Sequence, residues 1–124
     1  MAKLVEMDER VGIFKQMEED DSGPVILINK FSVSPEEFEH FLKGWASEAE
    51  KFKEQPGFIS TQLHKGIGGS GTFVNYAVWE SANYFKRAVS KVMDPQDRLA
   101  AYPPSTVASP HLFKKVAVPG ICID

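Results

Sequence analysis

Apolar residues recur along this chain at two periods, two in some stretches and three to four in others, and Gly, Pro or Ser punctuates each change. Val25-Ile26-Leu27-Ile28-Asn29-Lys30-Phe31-Ser32-Val33 is β-branched and starts apolar on both faces, which predicts a central strand. Asn29 interrupts the face made by Val25, Leu27, Phe31 and Val33. Ser34-Pro35-Glu36-Glu37 then predicts a helix start, with Ser34 as N-cap, Pro35 at the first helical position and Glu37 closing a capping box. Phe38, Phe41, Leu42, Trp45, Ala49 and Phe52 follow at spacings of three and four, a single stripe for packing on a sheet that extends the helix to about Glu54. Trp45 belongs to that stripe, and His40 lies off it among solvated positions.

Gln55-Pro56-Gly57 stops the helix, and Phe58–Lys65 reads as a strand with Phe58, Ser60, Gln62 and His64 on one face. Gly66-Ile67-Gly68-Gly69-Ser70-Gly71 matches the spacing G-x-G-x-x-G, but a pyrophosphate needs a helix N-terminus directly after the glycines. Thr72–Trp79 is a strand instead, so the glycines form a hairpin loop. Ser81 caps a second helix, Ala82 to about Val92, with Phe85, Ala88, Val89 and Val92 inward and Lys86, Arg87 and Lys91 outward. Asp94–Tyr102 predicts a short helical turn, Pro103–Pro110 a loop, and His111–Val118 a last strand ending at Pro119-Gly120.

The order strand, helix, strand, strand, helix, strand predicts an α+β, ferredoxin-like βαββαβ fold with an antiparallel sheet and both helices on one face. The other sheet face would be broad and apolar, which predicts a homodimer with two sheets packed together. Residues 1–23 read as an N-terminal arm with one short strand at Val11 and Ile13, and residues 24–124 as a single domain. The acidic run Glu18-Glu19-Asp20-Asp21 fits a solvated loop better than a metal site.

At 124 residues there is room for one core and no separate module. A net charge of -3, with lysines scattered among acids, disfavours nucleic acid as a partner. No apolar run approaches the roughly 20 residues of a membrane span, and the first residues carry charge where a signal peptide needs an apolar core, so a cytoplasmic location is expected. Cys122, the single cysteine, is expected to be a small buried apolar residue of a terminal strand.

The chemistry-bearing stretch is Asn75-Tyr76-Ala77-Val78-Trp79. Alternation puts Phe73, Asn75, Ala77 and Trp79 on one face, so an amide and an indole N–H sit two steps apart over one patch. Buried, both need partners, and a small ligand is one way to supply them. His64 could serve as acid or base near neutral pH, or be a hydrogen-bonded structural residue.

From about Pro24 to Val118 the chain resembles the antibiotic biosynthesis monooxygenase family of dimeric α+β barrels, on Asn29-Lys30-Phe31, Gln55-Pro56-Gly57-Phe58 and Trp79-Glu80-Ser81-Ala82-Asn83-Tyr84-Phe85. The resemblance implies a homodimer that oxidises a small aromatic compound, of phenol, anthrone or hydroquinone type, with O2 and without metal, flavin or other cofactor. It implies Asn75 and Trp79 as donors to the developing oxyanion, and Tyr84 or His64 as the group that handles the proton. Asn29, Phe73, Arg98 and His111 are the candidate substrate contacts, and Phe85 is the alternative to Tyr84 in register. A haem-degrading branch of the superfamily fits less well: Ala88 stands where its helical Trp falls, and no His lies between His64 and His111. The alternative to an enzyme is a dimeric domain that binds a small aromatic metabolite, with Trp79 as core and Asn75 tying down a loop.

Overall fold

β2 (Ser22–Ser32) runs through the middle of the sheet, as its apolar start predicts, with β4 (Thr72–Ser81) and β5 (Val107–Phe113) antiparallel on either side. β3 (Phe58–Lys65) lies outside β4, and a two-residue β1 (Lys3–Leu4) adds in parallel outside β5, giving the order β1-β5-β2-β4-β3. This structure is a computed structural model that describes residues 1–19 and 22–123, so the Asp20-Asp21 end of the acidic run lies outside the described residues. α2 (Phe38–Phe52) and α3 (Ala82–Val92) pack on one sheet face, where Phe41 meets Phe31 and Phe73, and Phe85 meets Trp79. The mixed α+β, ferredoxin-like architecture is the one the sequence predicts, and the sheet stays open.

Several local expectations are corrected. Pro35–Glu37 forms a 3-10 turn ahead of α2, and the Ser34 side chain makes no cap bond. Both capping-box partners are taken by Ser105: its N–H donates to Glu37 Oε1 and its Oγ accepts from the Ser34 N–H, each at 3.0 Å. The hydrogen bonds from Ser105 hold the Glu37 carboxyl below its ordinary value. α3 does begin as expected, with Ser81 Oγ accepting from the Tyr84 N–H at 3.2 Å. Residues 94–102 form turns and no helix, because Asp94 and Asp97 accept from the N–H groups of Gln96 and Leu99 and so compete with helical bonding.

The bulge in β3 between Phe58 and Ser60 reverses the expected facing. Phe58 turns to the helix side opposite Trp79, while Ser60, Gln62 and His64 pair with Val78, Tyr76 and Val74 on the far face. β5 starts and ends four to five residues earlier than predicted. Pro110 is tolerated inside it for a directional reason: Thr106 and Ala108 turn their carbonyls to β1, so Pro110 presents its missing N–H to that same side, beyond the end of β1. Past β5, Val118 and Cys122 pair across a tight turn containing Gly120, and Cys122 is exposed, not buried.

The N-terminal segment has no strand at Val11 and Ile13. It forms α1 (Ile13–Gln16), whose first N–H donates to Glu6 Oε1 at 2.9 Å, and it buries Ile13 and Met17 in the core. Gln16 fixes it to β5 by donating to the Leu112 carbonyl and accepting from the Leu112 N–H, at 3.0 and 2.9 Å.

Candidate ligand cavity

The helix-covered face of β2 and β4 is built from directly opposed pairs: Val25 with Trp79, Leu27 with Ala77, Asn29 with Asn75, and Phe31 with Phe73. Strand alternation thus sets two amides side by side in an otherwise apolar floor. Above that floor lies a partly open cavity of about 130 Å³. That is close to the volume, about 150 Å³, of an apolar cavity known to admit benzene. α2 roofs it with Trp45, Glu48 and Phe52, Ile13 of α1 and Met17 just after it close one side, and the segment before β5 adds Arg98 and Tyr102.

The polar groups are few and specific. Thr61 Oγ1 donates to Asn75 Oδ1 at 2.5 Å, which fixes the amide and leaves its Nδ2–H groups as the donors. Asn29 Oδ1 is buried without a partner, and so is Arg98 Nη1, whose guanidinium lies 5.0 Å over the Phe14 ring. Tyr102 Oη donates to Glu48 Oε1 at 2.6 Å. Burial pushes the Glu48 carboxyl up against the hydrogen bond from Tyr102 and the charge of Lys51, which pull it down. The Tyr102 hydroxyl is held far above its ordinary value by burial first and then by Glu48. Trp79 is buried among Phe52, Phe58 and Phe85, each edge-on to it.

Of the residues singled out in the sequence, Asn75, Trp79, Asn29 and Arg98 line the cavity. The other four do not. His64 is exposed on the opposite face, where Nδ1 lies 3.2 Å from the Val74 carbonyl, because the β3 bulge turned it away. Tyr84 packs on the turn at Gly57, whose positive φ and missing side chain make room for its ring, while Phe85 takes the place in the cavity wall. Phe73 faces the helices but joins a second cluster with Phe41. His111 points to the far face, where its Nε2 meets Gln16 at 3.0 Å.

Thr61, Glu48 and Tyr102 were missed. Glu48 did carry a signal, since it falls three residues after Trp45 and four before Phe52, a carboxylate on the apolar stripe of α2. Tyr102 gave none, because no periodic element contains it. Among the described residues no cluster of three His, Cys, Asp or Glu side chains is placed to hold a metal ion, and no helix is long and apolar enough to cross a membrane.

Comparison with known proteins agrees with this fold. The sequence profile of the antibiotic biosynthesis monooxygenase family matches residues 24–91, a little over half of the chain. Deoxynogalonate monooxygenase of Streptomyces nogalater is 34% identical over 73 residues, which are 57% of this chain and 59% of that protein. The match therefore spans less than two thirds of that curated relative. Among solved structures, a protein of Shewanella loihica PV-4 assigned provisionally to the monooxygenases superposes with a TM-score of 0.66 at 30% identity, covering 79% of this chain and 99% of that one. SnoaB, a cofactor-independent oxygenase from Streptomyces nogalater, gives a TM-score of 0.66 at 25% identity, covering 80% and 99%. A haem-degrading protein of Mycobacterium tuberculosis, at 23% identity and a TM-score of 0.58 over 81% and 99%, shares the fold.

Proposed function

Since this chain belongs to the antibiotic biosynthesis monooxygenase family, we propose that it is a cofactor-independent monooxygenase that oxidises a small aromatic phenol, anthrone or hydroquinone with O2. The observation that carries this reading is the pair of opposed amides, Asn29 and Asn75, in an apolar cavity that also holds Trp79. In such a reaction the substrate loses a proton, its carbanion reduces O2 to a bound peroxide, and loss of water leaves the quinone. The protein's part is to bind the ring, exclude water and stabilise the oxyanion. Asn75, fixed by Thr61, is a donor that needs no reorganisation when charge develops, and removing one such donor typically costs about 10²–10³ in rate.

Oxygen uptake with a panel of anthrones and hydroquinones tests the assignment. Turnover is expected in air with none under nitrogen, falling about 10²–10³-fold in Asn75→Ala. Full turnover in Asn75→Ala and Trp79→Phe would remove both donors from the mechanism.

A non-enzymatic binder of a small aromatic metabolite is the second reading, and the edge-on caging of Trp79 by three phenylalanines favours it. It predicts hydroquinone binding with no oxygen uptake. Haem degradation has less support, because no His is among the cavity-lining residues.

The homodimer belongs to the same proposal. The sheet face away from the helices carries Ile28, Val74 and Val78 between Tyr76, 38% exposed, and Phe113, 36% exposed. A second copy of this face is the natural cover for such a surface.

A further inference from the structure

We propose that Glu48 accepts the proton that the bound substrate gives up, that Tyr102 positions it, and that the cavity therefore selects an aromatic with an ionisable hydroxyl or acidic C–H directed at α2. The inference rests on the monooxygenase reading of the same cavity and supplies the proton acceptor that His64 and Tyr84 do not provide.

Among the described lining residues Glu48 is the single acidic side chain, and it stands on the helical roof across from the amide floor of Asn29 and Asn75. A flat substrate between roof and floor would meet a base on one side and oxyanion donors on the other. Tyr102 is already spent as a donor to Oε1, which leaves Oε2 to take the proton. The Tyr102 ring is fixed against Phe31 and Phe41, so the carboxylate it holds has little freedom to turn away. The charge acting on Glu48 is that of Lys51 on its own helix, Arg98 is a further cationic lining residue of the cavity, and burial makes the carboxylate a stronger base than one in water. In the step itself an O–H or C–H bond of the substrate breaks and the proton passes to Oε2. The electron pair stays on the substrate as phenolate or enolate, where the Nδ2–H of Asn75 meets the oxygen.

Glu48→Gln keeps an oxygen for the Tyr102 hydroxyl while removing the base. With 4-nitrophenol as a one-ring probe above its own pKa, binding to the native protein should take up one proton, because phenolate and carboxylate cannot both stay charged in the cavity. Its Kd should weaken about tenfold per pH unit with the phenolate colour retained, because the proton taken up sits on Glu48, while Glu48→Gln should bind the phenolate with no such slope. In oxygen uptake, Glu48→Gln should lose roughly 10²–10⁴-fold in kcat with a small change in KM. Tyr102→Phe should lose less and move the acid limb of the profile to higher pH, which a purely structural bond would not do. Equal pH slopes in native protein and Glu48→Gln would overturn the proton acceptor whatever the turnover shows. Absence of probe binding to the native protein would overturn it together with the monooxygenase reading. A slope confined to the native protein, without oxygen uptake, would leave the proton acceptor standing and remove the monooxygenase.

Discussion

Asn29 and Asn75 face each other across adjacent antiparallel strands, yet Thr61 satisfies the oxygen of Asn75 while the oxygen of Asn29 is buried with no donor. A buried unpaired acceptor costs about 1–3 kcal/mol, which a ligand hydroxyl would recover. Asn29→Leu should therefore raise unfolding stability by roughly 1 kcal/mol in urea titrations while weakening the binding of phenols. A destabilised Asn29→Leu protein would show that the oxygen is already paired in solution.

Glu48 gives a pH dependence of definite sign. Its carboxyl is raised in the folded protein above the ordinary 4.5, so between those two values the native state holds a proton that the unfolded chain has released. Stability from this group is complete below 4.5 and declines as pH rises through the raised value. Glu48→Gln removes that decline, so its stability relative to the native protein should improve from pH 4 to pH 7.5. Denaturant unfolding at both pH values checks this, and a constant difference would contradict it.

Gly44 sits one helical turn before Glu48, and a methyl group there would overlap the carbonyl oxygen of Ala101, the neighbour of Tyr102. Gly→Ala ordinarily stabilises a helix interior by about 1 kcal/mol. Here Gly44→Ala should destabilise by roughly 1–3 kcal/mol, as overpacking does, and disturb the Tyr102 contact to Glu48. Thermal and urea unfolding would decide the sign.

The proposed sheet-to-sheet dimer makes its own prediction. Light scattering at micromolar concentration should give twice the 13.8 kDa chain mass, and Val78→Lys with Tyr76→Lys should give the single mass without loss of secondary structure. A native monomer would end the proposal.

The fold was legible because its elements are long and periodic: the β2 run, the α2 stripe from Phe38 to Phe52, and the Ser81 cap of α3 all form as the residues require. What sequence could not show was set by contacts distant along the chain. Ser105 takes over the helix start from Ser34 and Glu37, 71 and 68 residues away. One bulge at Phe58 sends His64 to the wrong side of the sheet for the role expected of it. The candidate site was half legible for the same reason: Asn29, Asn75 and Trp79 lie on regular strands, whereas Tyr102 comes from a segment with no period to read.

The N-terminal wall of the cavity, Leu4, Ile13, Phe14 and Met17, lies outside the stretch that matches the family, as do Arg98 and Tyr102. The floor and roof thus lie within the matched stretch, while these side walls are supplied by segments outside β2, β4 and α2. If the proposed cavity binds substrate, residues 1–19 are the place to alter which ring it admits while Asn29, Asn75 and Trp79 stay as they are.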